Sequence, residues 1–297
     1  MFRLKYTQAE AAWAYVFIMP ALIGFLVLAT FPILFGFWLS LTKWDAFTPP
    51  AFVGWANYRR LFTLREPLWY GTTIQNTLFF VLMMPVGVAL QLSLALLVNM
   101  KLRLSRLFRS VFFLPTVTSA AVVAMVWFWM YDTNFGLINW LLSWFKIPPV
   151  PWLESARYAK PALWIMMNWQ GAGYGMMINL AALQGIPIEL HEAAMMDGAG
   201  PLRRFFSVSL PLLTPALFFQ LVTGAIGAFQ VFGQVWMTTR GGPARSTATV
   251  VLYIYNYAFA NGAWGFASAG AYILALMILM LTIVQFYFQR RWVFYGL

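Results

Sequence analysis

Charge is scarce in this chain. Asp, Glu, Lys and Arg make up 9% of its 297 residues, where a soluble domain carries about 25%. That excludes a water-exposed surface wrapped around a core of this size. Cysteine is absent, so there is no disulfide framework and no thiolate metal site. The single histidine is His191, and the apolar runs contain no cluster of His, Asp or Glu. A membrane-embedded enzyme would need one. No Gly-x-x-x-x-Gly-Lys loop occurs, so this chain is not expected to hydrolyse ATP or to be an enzyme. Acids are the rarer charge, and the formal net charge is +11. In a soluble protein that would suggest nucleic acid. Here it suggests loops facing anionic lipid headgroups, and no nucleic-acid partner is expected.

What the chain has in abundance is apolar length. Uncharged runs cover 11–42, 67–100, 110–131, 161–188, 205–239 and 246–289, each long enough for the roughly 20 residues of a spanning helix. The expected fold class is an all-α polytopic membrane protein with six transmembrane helices, at about 13–39, 74–98, 110–131, 161–183, 211–236 and 265–288. The chain reads as one transmembrane domain over 1–297. Its first run exceeds the roughly 7–15 residues of a signal h-region and reads as an uncleaved span. The aromatic stretch after Ser246, broken at Asn261-Gly262, reads as an interfacial or external segment before the last span. The segments near 40–73, 132–160 and 238–263 look ordered.

Orientation rests on cation density. The termini and the loops near 100–109 and 184–210 share a face and carry Arg3, Lys5, Lys101, Arg103, Arg106, Arg109, Arg203, Arg204, Arg290 and Arg291. Cations in short loops mark the cytoplasmic side, so the termini are expected there.

Between the fourth and fifth spans lies a passage that looks soluble, ELHEAAMMDGAGPLRRFF at 189–206. Pro187 suits the first turn of a helix and Glu189 and Glu192 suit its N-terminal dipole. Gly198 and Gly200 end that helix, because glycine accepts left-handed turns. Pro201 restarts a helix and Pro211 marks the border of the next span. The reading is helix, glycine turn, helix, where an ordinary ordered loop is the plainer alternative.

Residues 192–215, EAAMMDGAGPLRRFFSVSLPLLTP, resemble the signature cytoplasmic loop of binding-protein-dependent ABC importer permeases. Glu192, Ala193, Ala194, Asp197, Gly198, Ala199, Phe205, Leu210 and Pro211 fit its Glu-Ala-Ala, Asp-Gly-Ala, Phe and Leu-Pro pattern. TTRGGPARST at 238–247 resembles an external Thr-x-Gly-Gly-Pro segment of the carbohydrate-uptake branch, and the ending FYFQRRWVFY fits that branch. The resemblance implies a type I importer permease. Its 184–210 loop, with Gly200 at the turn, would dock on a cytoplasmic ATPase and pass motion to the spans. It implies a second permease subunit, two ATPase subunits that hold ATP and magnesium, and an external solute-binding protein facing Gly241, Gly242 and Pro243. This chain would bind no cofactor and no metal, and would sit in the inner membrane of a prokaryote.

The spans hold no acid or base away from their ends, which argues against a proton-coupled carrier. A secondary sugar carrier coupled through carbonyl oxygens stays open. Gln220, Gly227 and Gln234 repeat at seven, with Gln230 between them, and are expected on one helical face. That face reads as a solute path or a helix-packing seam. The fourth span carries Asn168, Trp169, Gln170, Gly171, Tyr174 and Asn179, of which Gly171, Tyr174 and Trp169 fit the sugar-contacting span of maltose-type permeases. Asn168 does not align with the sugar-binding asparagine of that site. Amides, hydroxyls and rings suit a neutral sugar or oligosaccharide. Glycerol phosphate, carried by related permeases, would want Arg or Lys.

Overall fold

A chain in lipid must satisfy its backbone N–H and C=O groups internally, and apolar runs of this length do so as helices. The computed structural model describes residues 8–63, 69–100 and 105–295. Arg3, Lys5, Lys101 and Arg103, and the side chain of Arg106, lie outside these residues.

Among the described residues, four helices have the length and composition of membrane spans: Trp13–Ser40, Gly71–Asn99, Pro201–Phe229 and Trp264–Gln289. The stretch expected as a single third span is instead two helices, Leu107–Val117 and Ala120–Met130, bent by 104°. Ser119 adopts an extended backbone and its Oγ accepts from Val122 N–H to cap the second helix. The fourth crossing is the 29-residue helix Ala156–Gln184. It is long enough to span, but Asn168, Gln170, Asn179 and several glycines dilute its apolar content. The set is compatible with six crossings.

The fifth span does not begin at Pro211. Helix runs unbroken from Pro201 to Phe229, widened into a π turn at Phe205–Ser209 just before Pro211. The same arrangement occurs at Leu26–Thr30 before Pro32. A proline lacks the N–H that would serve a carbonyl one turn back, and a wider turn accommodates the gap. Nor does this span reach residue 236. It ends at Gln230, and a separate short helix, Gly233–Thr238, follows.

The described residues group into two units. The first holds the chain up to residue 65 and residues 254–273. Here Trp13–Ser40 leads into a two-stranded antiparallel hairpin, Thr42–Lys43 with Ala51–Phe52, in which Thr42 faces Phe52. Asn57 Nδ2 donates to the carbonyls of Ser40 and Thr42 at 2.8 Å each, fixing the hairpin base. Trp264 N–H donates to Trp44 O at 2.9 Å. Gly265 is required beside it, because a Cβ there would lie 1.9 Å from Thr42 O.

The second unit holds residues 66–253 and 274–297. Ala156–Gln184 is its axis, with Ala95, Val98, Met176 and Leu180 forming one buried cluster. The segment 132–160 is ordered around Asn139. That side chain donates to the carbonyls of Thr133 and Val150 and accepts from Val150 N–H and Trp152 Nε1.

Candidate functional site

Two adjoining cavities of 460 and 360 Å³ share Met84, Gln91, Met167, Gly171, Gly224 and Gln234 in their walls and make one groove in the second unit. Tyr174 and Gln220 line its larger part, and Asn168, Gly227 and Gln230 its smaller. Seven of the eight residues proposed from the sequence for a solute path therefore meet here. The eighth, Trp169, is absent from the lining; its ring packs edge-to-face on Trp127 at 5.5 Å. Gln234 arrives by a route the seven-residue repeat did not foresee. The helix breaks at Gln230, and Gln234 returns on the next helix to donate to Gln170 Oε1 at 3.3 Å.

Gln170 has a further task. Its Nε2 donates to Thr118 O at 3.1 Å, and its backbone carbonyl accepts from Thr116 Oγ1 at 3.0 Å. It thus satisfies backbone freed by the 104° break, which hydrocarbon could not do. Gln170 was noted among the polar residues of the fourth span without a place in the solute path, and Gln91 was overlooked. The signal was available, since an amide in an apolar run is costly in lipid.

In the wall of the groove, Gln220 is buried and paired with the buried Asn179. Gln220 Nε2 donates to Asn179 Oδ1 at 2.7 Å, and Asn179 Nδ2 returns a longer bond of 3.4 Å. Gly175 makes room for the amides: a Cβ would stand 1.9 Å from Gln91 Oε1 and 2.8 Å from Gln220 Oε1. Removing one partner strands the other, at a cost of about 1–3 kcal/mol, whereas removing both can be nearly neutral. Gln220→Leu is expected to lower the thermal unfolding temperature of the purified protein, and Gln220→Leu with Asn179→Leu to recover most of the loss. Additive losses in the double variant would refute the pairing.

The helix Ile188–Met196 buries none of its residues. Its end is a complete glycine cap: Gly198 stands at φ +76°, its N–H donates to Met195 O at 3.0 Å, and Ala199 N–H reaches Ala194 O at 2.9 Å. This is the double hydrogen bond that a left-handed residue after a helix permits. Glu192, Ala193, Asp197 and Gly200 are exposed, and Ala194, Phe205, Leu210 and Pro211 are half-buried. Met196 is 89% and Leu202 76% exposed.

The loop after Gly233–Thr238 is tied at several points. Gly241 is buried at φ +89°, and a Cβ there would press on Leu252 at 2.9 Å. Thr247 Oγ1 donates to Gly242 O at 2.8 Å. Asn76, itself buried, donates to the carbonyls of Arg245 and Ala248 and accepts from Lys160 Nζ at 3.1 Å. Gly242 and Pro243 are half-buried at the turn. Arg240, Ala244 and Arg245 hold positive φ, which such a network of bonds can maintain.

This arrangement has relatives. The chain is 35% identical over 283 residues to the trehalose/maltose transport system permease protein MalF of Thermococcus litoralis, covering 95% of this chain and 94% of that protein. It is 33% identical over 291 residues to the sn-glycerol-3-phosphate transport system permease protein UgpA of Pectobacterium atrosepticum, covering 96% and 97%. Its fold matches, with a TM-score of 0.83 and 21% identity over 97% and 98% of the two chains, a chain in the crystal structure of a bacterial alginate ABC transporter in complex with an alginate pentasaccharide-bound periplasmic protein. The model of one family, described as the binding-protein-dependent transport system inner membrane component, matches residues 67–293. The chain belongs to that family: it is a multi-pass membrane permease of a binding-protein-dependent transport system.

Proposed function

We propose that the chain is one of two permease subunits of an ATP-driven sugar importer. In this reading the groove carries the solute and the Ile188–Met196 helix takes up the motion of a cytoplasmic ATPase. The observation that carries the solute class is the chemistry of the groove. Its described lining offers amides, the Thr116 and Thr223 hydroxyls and the Trp164 and Tyr174 rings, with no acid and no base. Amides and hydroxyls exchange hydrogen bonds with a polyol, and ring faces cover sugar C–H surfaces. The trehalose and maltose in the name of the Thermococcus litoralis relative point the same way.

The complex would contain a second permease, two ATPase subunits holding ATP and magnesium, and an external binding protein seated over Gly241, Gly242 and Pro243. The termini and the 184–210 loop would be cytoplasmic, on the inner membrane of a prokaryote. ATPase closure would move the helix and bias the spans between inward-open and outward-open states. Similarity to the UgpA permease favours glycerol 3-phosphate as the second reading. A phosphate ester calls for Arg, Lys or a helix N-terminus, which the partner permease would then supply.

Reconstitution of the chain with its partner permease, ATPase and binding protein tests both. Uptake of a neutral sugar is expected, dependent on ATP and on binding protein. Uptake of glycerol phosphate alone would select the second reading, and uptake without ATPase would refute coupling.

A further inference from the structure

A cavity of 630 Å³ in the first unit shares no residue with the groove. Lys43, Trp44, Asp45, Thr48, Arg60 and Asn261 are in its lining. It lies where two spans end, because Ser40 closes Trp13–Ser40, Trp264 opens Trp264–Gln289, and Trp264 N–H is bonded to Trp44 O. Its walls are preorganised. The Arg60 guanidinium lies 4.3 Å over the Phe266 ring. Asp45 Oδ1 accepts from Phe47 N–H, Thr48 N–H and Thr48 Oγ1, and these bonds hold its carboxyl at about 2. Asp45 therefore stays ionised, with its charge spread over three hydrogen bonds of its own turn, and Lys43 is exposed beside it.

The surroundings are those of a lipid boundary. None of the residues in the most apolar stretch of Trp13–Ser40 is buried, so an acyl chain can follow that helix up to the cavity. Phe47 is 94%, Phe52 71% and Trp55 59% exposed on and beside the hairpin. Aromatic rings and cations at the end of a span are the composition of the headgroup layer.

We propose that this cavity is a headgroup site for an anionic phospholipid. Lys43 meets the phosphate as a point charge, and Arg60, held over the Phe266 ring, adds its positive charge to the wall. Thr48 and Asn261 offer hydrogen bonds to the headgroup hydroxyls, and the exposed aromatics enter the acyl boundary. Phosphate chemistry is shared with soluble phosphate esters; the rim of exposed rings and the bare helix favour the lipid.

The assembled permease complex is placed in bilayer nanodiscs of phosphatidylglycerol diluted into phosphatidylcholine. Native mass spectrometry after transfer to detergent then reads which lipid stays bound. Phosphatidylglycerol is expected to be retained and phosphatidylcholine lost. Lys43→Gln should lower retention about fivefold, the effect of one cation near an anionic surface. Arg59→Gln, at an exposed neighbour outside the lining, should leave it unchanged. Equal retention of both lipids, or an equal loss with Arg59→Gln, would overturn the site. Displacement of the lipid by excess glycerol phosphate would overturn the lipid as occupant.

Discussion

Glu192→Lys is expected to reduce ATP-driven uptake by the assembled transporter by roughly thirtyfold or more, while the chain still reaches the membrane. Glu192 is exposed on a helix that buries nothing, so charge reversal leaves the fold of this subunit intact. In the proposed coupling the loss arises at the contact with the ATPase subunit. Truncating one member of a buried, hydrogen-bonded charge pair across an interface costs about 2–5 kcal/mol, and reversal adds repulsion. Glu192→Gln keeps the hydrogen-bonding shape without the charge and should fall between. Gly198→Trp should act through geometry instead, since its φ of +76° strains any side chain and alters the exit of the helix. Uptake and ATPase assembly measured side by side decide the matter. Wild-type uptake by Glu192→Lys would remove the coupling role of this helix.

Gly173→Leu is expected to leave almost no assembled permease in the membrane. A Cβ on Gly173 would lie 2.2 Å from Phe112 O and 2.6 Å from Phe113 Cα. Both are backbone atoms, so no rotamer change relieves the overlap and the Ser105–Val117 helix must move as a body. Overpacking relieved by side chains costs about 1–3 kcal/mol; here the helix that ends at the 104° break loses its seat, and with it the bond from Thr116 to Gln170. Gly171→Ala is the matched control, because nothing lies within 4 Å of a Cβ there. It should accumulate like the parent. Normal levels of the Gly173→Leu protein in membrane fractions would refute the close approach.

The contrast between the loop and the groove explains what could be read ahead of the structure. The helix at 188–196 announces itself locally, since the proline, acids and glycine that shape it lie within a dozen residues, and each acts on its own backbone. The bend at Thr118-Ser119 does not. Counting charges finds an unbroken apolar run, and the groups that make the break tolerable belong to Gln170, which reaches Thr118 O from another helix. Gln234 shows the same limit in reverse. The seven-residue repeat placed it on the same face as Gln220 but about 21 Å along a straight helix, and the two share a wall because the chain turns at Gln230 and comes back. Trp169 fitted a motif by position, and its ring was claimed by Trp127. Periodicity sees one helix at a time, whereas a groove is made by several.

The continuity of Pro201–Phe229 makes that helix a lever. It begins within a few residues of the Gly198 cap and is 29 residues long, about 43 Å at 1.5 Å per residue. A tilt of about 5° applied at the Pro201 end sweeps the Phe229 end by about 4 Å over that length, more than the length of a hydrogen bond. Gln220 rides on this arm and Gln230 closes it. Under the proposed coupling, a small stroke at the base would be geared up along the arm, and the groove amides that it carries would change partners without either end of the helix unwinding.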